Sequence, residues 1–228
     1  MRILSIDTSS NICAVAILEN DVLLKEISQN NGLTHSVNLM PMIQELFSSL
    51  NLSLKDIDLI VCDKGPGSFT GIRIGIATAM GFSDSLNIPT IGISSLEALA
   101  FNIKEPHVIC SLIDAKKDNV YVGIFEYTGN QYVLRRNYSS ENVDSILDEL
   151  KIATYPIYFV GDGSIIYKEK ILNILPNSKF SDNNDLSAYN LGLAGCMHFK
   201  NNQKDDLLPL YLRKPQAERM LEEKKNEN

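Results

Sequence analysis

The sequence predicts an α/β protein of two lobes with a related plan, and three observations carry that prediction. The apolar segments of the first hundred residues read as three strands, a helix, a strand, a helix and a strand. A polar stretch, Asn102–His107, then precedes a looser set of segments in similar order. Within the first set, a glycine-rich loop, Gly65–Gly71, joins a strand to a helix. No repeat is visible in the residues themselves, so the duplication rests on pattern alone.

Ile3–Ile6 reads as a strand and Asp7-Thr8-Ser9-Ser10 as a turn. Ile12–Leu18 and Val22–Ile27 form a hairpin across Glu19-Asn20-Asp21. Both parities of Ile12–Leu18 are apolar or small, which places that strand under cover on two faces. The polar stretch Ser28–Thr34 leads into a helix ending at Leu50, with Pro41 as an expected kink. Leu59–Cys62 is a short strand that runs into Asp63, Lys64 and the glycine loop. The next helix, Thr70–Leu86, is stopped by Asn87-Ile88-Pro89, with Thr70 as a candidate cap. Thr90–Ile93 returns to the sheet, and Ser94-Ser95-Leu96-Glu97 has the spacing of a capping box.

Beyond the polar stretch, Val108–Ile113, Val120–Tyr127 and Tyr132–Arg136 read as strands. Ser140–Leu150 reads as a helix, Ile157–Val160 as a strand, and Gly161-Asp162-Gly163 as a turn into a helix beginning near Ser164. Leu186–Phe199 is a further helix. The expected division is a first lobe over 1–102, a smaller second lobe over 103–212, and a charged helix or tail over 213–228.

Composition narrows the function classes. A chain of 228 residues can bury a real core, and 44 % hydrophobic with 21 % charged residues is ordinary for a globular protein. No apolar run approaches the ~18 residues of a membrane span, and Asp7 comes too early for a secretory leader, so a cytoplasmic protein is expected. The four cysteines are far apart with no CxxC pair, which favours buried, reduced thiols over zinc or redox chemistry. A formal charge of −7 argues against this chain gripping a nucleic acid backbone by itself.

The glycine loop, with Gly65, Pro66, Gly67, Thr70 and Gly71, has the setting of a phosphate cradle. It lacks the Gly-Lys-Ser/Thr of a P-loop, and the three strands before it do not make a simple βαβ unit, so a structural turn is favoured. Gly71, Gly75, Ala79 and Phe82 form the face of the following helix that presses on the sheet. Arg73, Ile76, Ala77 and Met80 point the other way, so this helix is apolar almost all round. In the earlier helix, Met40, Ile43 and Phe47 belong to an arc wider than one core requires. These seven residues are the candidate partner interface.

Read together, these features resemble the TsaB family. The matching segments are Ile3-Leu4-Ser5-Ile6-Asp7-Thr8-Ser9, Thr34-His35-Ser36, and GPGSFTGIRIG at Gly65–Gly75. They continue with Ile93-Ser94-Ser95-Leu96, Leu112-Ile113-Asp114-Ala115 and Pro209-Leu210-Tyr211-Leu212-Arg213, and so span nearly the whole chain. The glycine segment is highly specific. The resemblance implies an α/β actin-like ATPase fold of two ribonuclease-H-like lobes with mixed sheets flanked by helices. It implies a non-catalytic platform subunit in forming threonylcarbamoyladenosine beside the tRNA anticodon. A heterodimer with the transferase TsaD is implied, made through first-lobe helices, with the ATPase TsaE joining it. Homodimers in isolation would use the same surface, and tRNA would be met only through the complex. No cofactor is expected on this chain alone, with metal and ATP on the partner subunits.

The chemistry left to the chain itself looks incomplete. The catalytic paralogue of the family uses His-x-x-x-His on its first-lobe helix, whereas here His35 is followed four residues later by Leu39. His35 is expected to cap or pack. Actin-like ATPases bind phosphate with Asp-x-Gly-Thr/Ser, and here Asp7-Thr8-Ser9 puts Ser9 where the glycine would allow close approach. That turn is expected to be vestigial, and Gly161-Asp162-Gly163 reads equally as an echo of a second nucleotide loop or as an ordinary strand-to-helix turn. No Ser-His-Asp or Cys-His set can be assembled, and Ser68 lacks the Gly-x-Ser-x-Gly spacing, so peptidase activity is rejected. The alternative to the platform is a small actin-like-fold kinase or ATPase.

Overall fold

The chain builds one plan twice. The computed structural model describes residues 1–30, 34–105, 107–203 and 207–213. The first half runs β1 (Arg2–Asp7), β2 (Cys13–Glu19), β3 (Val22–Gln29), α1 (His35–Leu50), β4 (Leu59–Asp63), α2 (Phe69–Leu86), β5 (Thr90–Ile93) and α3 (Ser95–Ala100). Its sheet has the order β3-β2-β1-β4-β5, with β1–β3 antiparallel and β4 and β5 parallel to β1.

The second half runs β6 (Val108–Asp114), β7 (Asn119–Tyr127), β8 (Tyr132–Asn142), α4 (Val143–Leu150), β9 (Ile157–Val160), α5 (Asp162–Ile166), α6 (Lys168–Ile174), β10 (Lys179–Phe180) and α7 (Ala188–Lys200). Its order, β10-β9-β6-β7-β8, is the first order read from the other edge. The related plan expected from the pattern is therefore an identity of topology.

The two-faced burial expected of β2 is present. Val15 and Ile17 join Leu39, Met42, Leu46 and Ile72 of α1 and α2 in one core. Ala14, Ala16 and Leu18 join Ala98, Leu191 and Ala194 of α3 and α7 in another. The second layer comes from the far end of the sequence. Gly192 and Gly195 of α7 sit so close to the sheet that a Cβ at either would overlap Leu18 or Val61. Glu26 of β3 holds the start of α7, accepting from Ser187 Oγ at 3.0 Å and Tyr189 N at 3.2 Å, where a carboxylate also suits the helix dipole. A division that gives everything after 102 to the second lobe thus departs from the packing, because α7 covers the first sheet.

Several local readings are corrected. Ser68, not Thr70, caps α2, accepting from Gly71 N at 3.2 Å, because the helix begins one residue earlier. Ser94 caps α3 through Leu96 N, but Glu97 turns away from the expected box to His198 of α7, 2.7 Å distant. Strand β8 continues to Asn142, so the helix read from Ser140 starts at Val143, where Asn142 caps it. The helix expected near Ser164 starts at Asp162 and is followed by a separate α6. The two-residue β10 was not foreseen, being too short to show a period. Pro41 lies inside a continuous α1. The expected tail helix falls, from residue 214 onward, outside the described residues.

Candidate functional site

Two strand ends organise the first lobe. Ile6 pairs with Cys62 across parallel β1 and β4, so the next residues, Asp7 and Asp63, emerge side by side. Each is 1 % exposed. Asp7 Oδ1 accepts from the backbone N and the hydroxyl of Ser9, both at 2.8 Å. Asp63 Oδ1 accepts from Gly65 N at 2.6 Å and Ser95 Oγ at 2.7 Å. The second oxygen of each carboxylate has no hydrogen-bond partner among the described residues. Burial pushes the Asp7 carboxyl above its ordinary range, against the pull of the Ser9 hydrogen bonds. Burial, and then the charge of Asp7, push Asp63 well above it.

The glycine loop is folded onto this pair. Ser68 N donates to Ser9 O at 2.7 Å, and Ser95 N donates to Gly65 O at 3.0 Å. A Cβ at Gly67 would overlap Ser9 O, and one at Gly71 would overlap Thr8 O. Thr8 Oγ1 donates to Gly71 O at 2.7 Å, and Gly75 lies against the same Thr8 side chain. The N–H groups of Gly65, Ser68, Gly71 and Ile72 are all used within the loop and its turn. A phosphate cradle needs such groups free. Loop, turn and helix start therefore form one buttress, in which Gly65–Pro66 is a cis peptide bond and Thr70 is exposed.

His35 opens α1 without capping it. Its Nε2 meets Ser10 O at 2.7 Å, tying α1 to the Asp7 turn. Leu39, one turn on, is 1 % exposed in the core, and no group of three His, Cys, Asp or Glu suited to a metal exists among the described residues. All four cysteines are buried and free.

A cleft of about 470 Å³ opens between the lobes, lined by Ser9, Ser10 and Ser68 on one side and Asp114, Lys116 and Asp162 on the other. Asp114 ends β6 as Asp7 ends β1. Asp162 Oδ1 accepts from Asp114 N at 3.0 Å, and burial raises the Asp162 carboxyl above its ordinary range. Lys116 is bound to Asp114 at 2.6 Å. The sequence reading singled out Gly161–Gly163 but gave Asp114 no chemical role. The repeated strand end, Ile6-Asp7 and Ile113-Asp114, was the available signal.

The candidate interface divides. Met40 is 51 % and Met80 47 % exposed, while Ile43 and Ile76 are 3 % and 6 % exposed within the core. The last two are thus packing residues, because the helix faces toward the sheet are wider than the sequence arc suggested. Phe47 is half-buried, and Arg73 and Ala77 are exposed. Between the ends of the two helices lies a groove of about 530 Å³ lined by Met40, Gln44, Phe47, Leu54 and Phe82.

Comparison with known proteins agrees with this geometry. A family model described as "TsaD: tRNA N6-adenosine threonylcarbamoyltransferase" matches residues 25–220. The "tRNA threonylcarbamoyladenosine biosynthesis protein TsaB" of Bacillus subtilis (strain 168) is 32 % identical over 226 residues, covering 96 % of each chain. The protein of that name from Buchnera aphidicola subsp. Schizaphis graminum is 34 % identical over 192 residues, 78 % of this chain and 89 % of its own. A Pseudomonas aeruginosa structure described as similar to peptidase YEAZ superposes with a TM-score of 0.80 at 27 % identity, covering 93 % of this chain and 99 % of that one. The activator of 2-hydroxyisocaproyl-CoA dehydratase from Clostridium difficile, solved with bound ADPNP, has a TM-score of 0.54 at 13 % identity, covering 90 % of this chain and 99 % of its own, and shares the fold alone. The fold is that of the actin-like ATPases, two ribonuclease-H-like lobes with mixed sheets flanked by helices.

Proposed function

This chain belongs to the TsaB family of tRNA threonylcarbamoyladenosine biosynthesis proteins, and on that footing we propose that it is the non-catalytic platform of the modifying complex. It binds the transferase TsaD as a heterodimer, supports it together with the ATPase TsaE, and meets tRNA only through that assembly. In isolation it pairs with itself through the same face. One observation carries the reading: the outer sides of α1 and α2 leave Val37, Met40 and Met80 exposed beside an apolar groove. Large apolar side chains grouped on one surface mark a place where another protein sits. The core position of Leu39, and the use of the Gly65, Ser68, Gly71 and Ile72 N–H groups within the loop and its turn, support placing the metal and the transfer chemistry on the partner.

The alternative, an ATPase or kinase working alone, draws on the cleft between the lobes. Its wall carries Asp114, Asp162 and Asp185 against Lys116, already paired with Asp114. A polyphosphate would meet net negative charge there. The deciding experiment is sedimentation of the chain alone and with the TsaD of the same cell. A shift from self-association to a one-to-one complex is expected. Absence of any complex with folded, metal-loaded TsaD would overturn the platform.

A further inference from the structure

The last described residues form a strap over the start of α2. Leu207 is buried in the first-lobe core, and Leu210 N donates to Lys64 O at 2.7 Å beside the glycine loop. Tyr211 stacks on Phe69 with ring centroids 4.2 Å apart and planes 7° from parallel. Arg73 lies over both rings, its Cζ 5.6 Å from each centroid, and its Nε donates to Tyr211 Oη at 2.7 Å. Beyond it, Arg213 donates to Ala115 O of the second lobe at 2.5 Å.

The consequence falls on Arg73. A surface arginine ordinarily loses much rotamer freedom on binding, but here the aromatic pair and the Tyr211 hydroxyl already hold the guanidinium. Its Nε is engaged, while Nη1 and Nη2 have no hydrogen bond or ion pair among the described residues. Arg73 is also the one cation of α2, on the side that carries exposed Ala77 and Met80. A planar fork presenting two N–H groups matches a carboxylate.

We propose that Arg73, pre-positioned by Tyr211 and Phe69, is the receptor for an aspartate or glutamate carboxylate of the protein partner that docks on α1 and α2. The proposal rests on the platform reading and names the chemistry of its contact. A carboxylate amid apolar neighbours is favoured over a tRNA phosphate because a single cation on a chain of net charge −7 does not hold a polyanion. Tyr211 is a positioning residue.

The test measures affinity for TsaD at two salt concentrations with Arg73→Ala, Arg73→Lys, Tyr211→Phe and Tyr211→Ala. Arg73→Ala is expected to weaken binding roughly 10-fold or more and to flatten its salt dependence. Arg73→Lys should fall between, as a point charge without the fork. Tyr211→Phe, which keeps the stack and loses the hydroxyl, should weaken binding less than Tyr211→Ala. Melting temperatures of both Arg73 variants should fall by no more than a few degrees, the loss of one hydrogen bond and the ring contacts. Wild-type affinity in Arg73→Ala overturns the carboxylate receptor and leaves the platform standing. So does a variant that assembles normally but loses only tRNA. Failure of the wild-type chain to bind TsaD overturns the platform and this contact with it.

Discussion

The hydroxyls of Ser9 and Ser95 stand 3.3 Å apart inside the first lobe, each serving a different buried carboxylate. Ser9 belongs to the turn after β1 and Ser95 to the start of α3, so the contact joins the two strand ends through side chains alone. What it joins is a costly pair: Asp7 and Asp63 each keep one oxygen without a partner among the described residues.

That cost is readable as a pH dependence. Burial, then the charge of Asp7, raise Asp63 well above its ordinary 3.8, so the folded chain binds this proton more tightly than the unfolded chain. Its contribution to stability is full below the ordinary carboxylate range and is lost as pH rises through the folded value. Asp63→Asn should therefore melt higher than wild type at pH 8, by about 2–4 °C for each kcal/mol relieved. The gap should close as pH falls toward 4. A pH-independent gap in thermal melts would show that Asp63 does not titrate across that window.

Two glycines of α2 should answer oppositely to alanine. At Gly71 a Cβ would overlap Thr8 O, and that backbone is held by the loop, so Gly71→Ala should destabilise by roughly 3 kcal/mol. At Gly81 a Cβ meets nothing within 4 Å, so Gly81→Ala should stabilise by up to about 1 kcal/mol. Urea unfolding of the two variants gives the comparison directly. Equal midpoints would remove the buttress.

Met80 and Ile76 separate interface from core on one helix. Met80→Glu, at a position 47 % exposed, should keep wild-type stability and weaken TsaD binding by roughly 30-fold or more. Ile76→Glu, at 6 % exposure, should unfold the chain by burying an unpaired charge. Circular dichroism with a binding titration distinguishes them, and a Met80→Glu chain that binds normally would move the interface elsewhere.

Magnesium–ATP should leave the melting temperature of the isolated chain unchanged. A ligand at 100 times its dissociation constant would add about 2.7 kcal/mol. A clear upward shift would restore the ATPase reading and point to the cleft at Asp114 and Asp162.

The sequence alone determined whatever is written in local periodicity. Two-parity burial in β2 and the small-residue face of Gly71, Gly75 and Ala79 both follow from residues that are neighbours in the chain. The glycine segment likewise carried the family. Tertiary structure decided which layer covers which face, and the clearest case is α7, whose glycines press on Leu18 and Val61. It also moved Ile43 and Ile76 into the core, set Asp7 beside Asp63, and laid Tyr211 on Arg73. Each of these depends on where distant segments cross. Periodicity reports that a face is apolar, but the same apolar face serves a core or a partner equally well until the covering segment is in place.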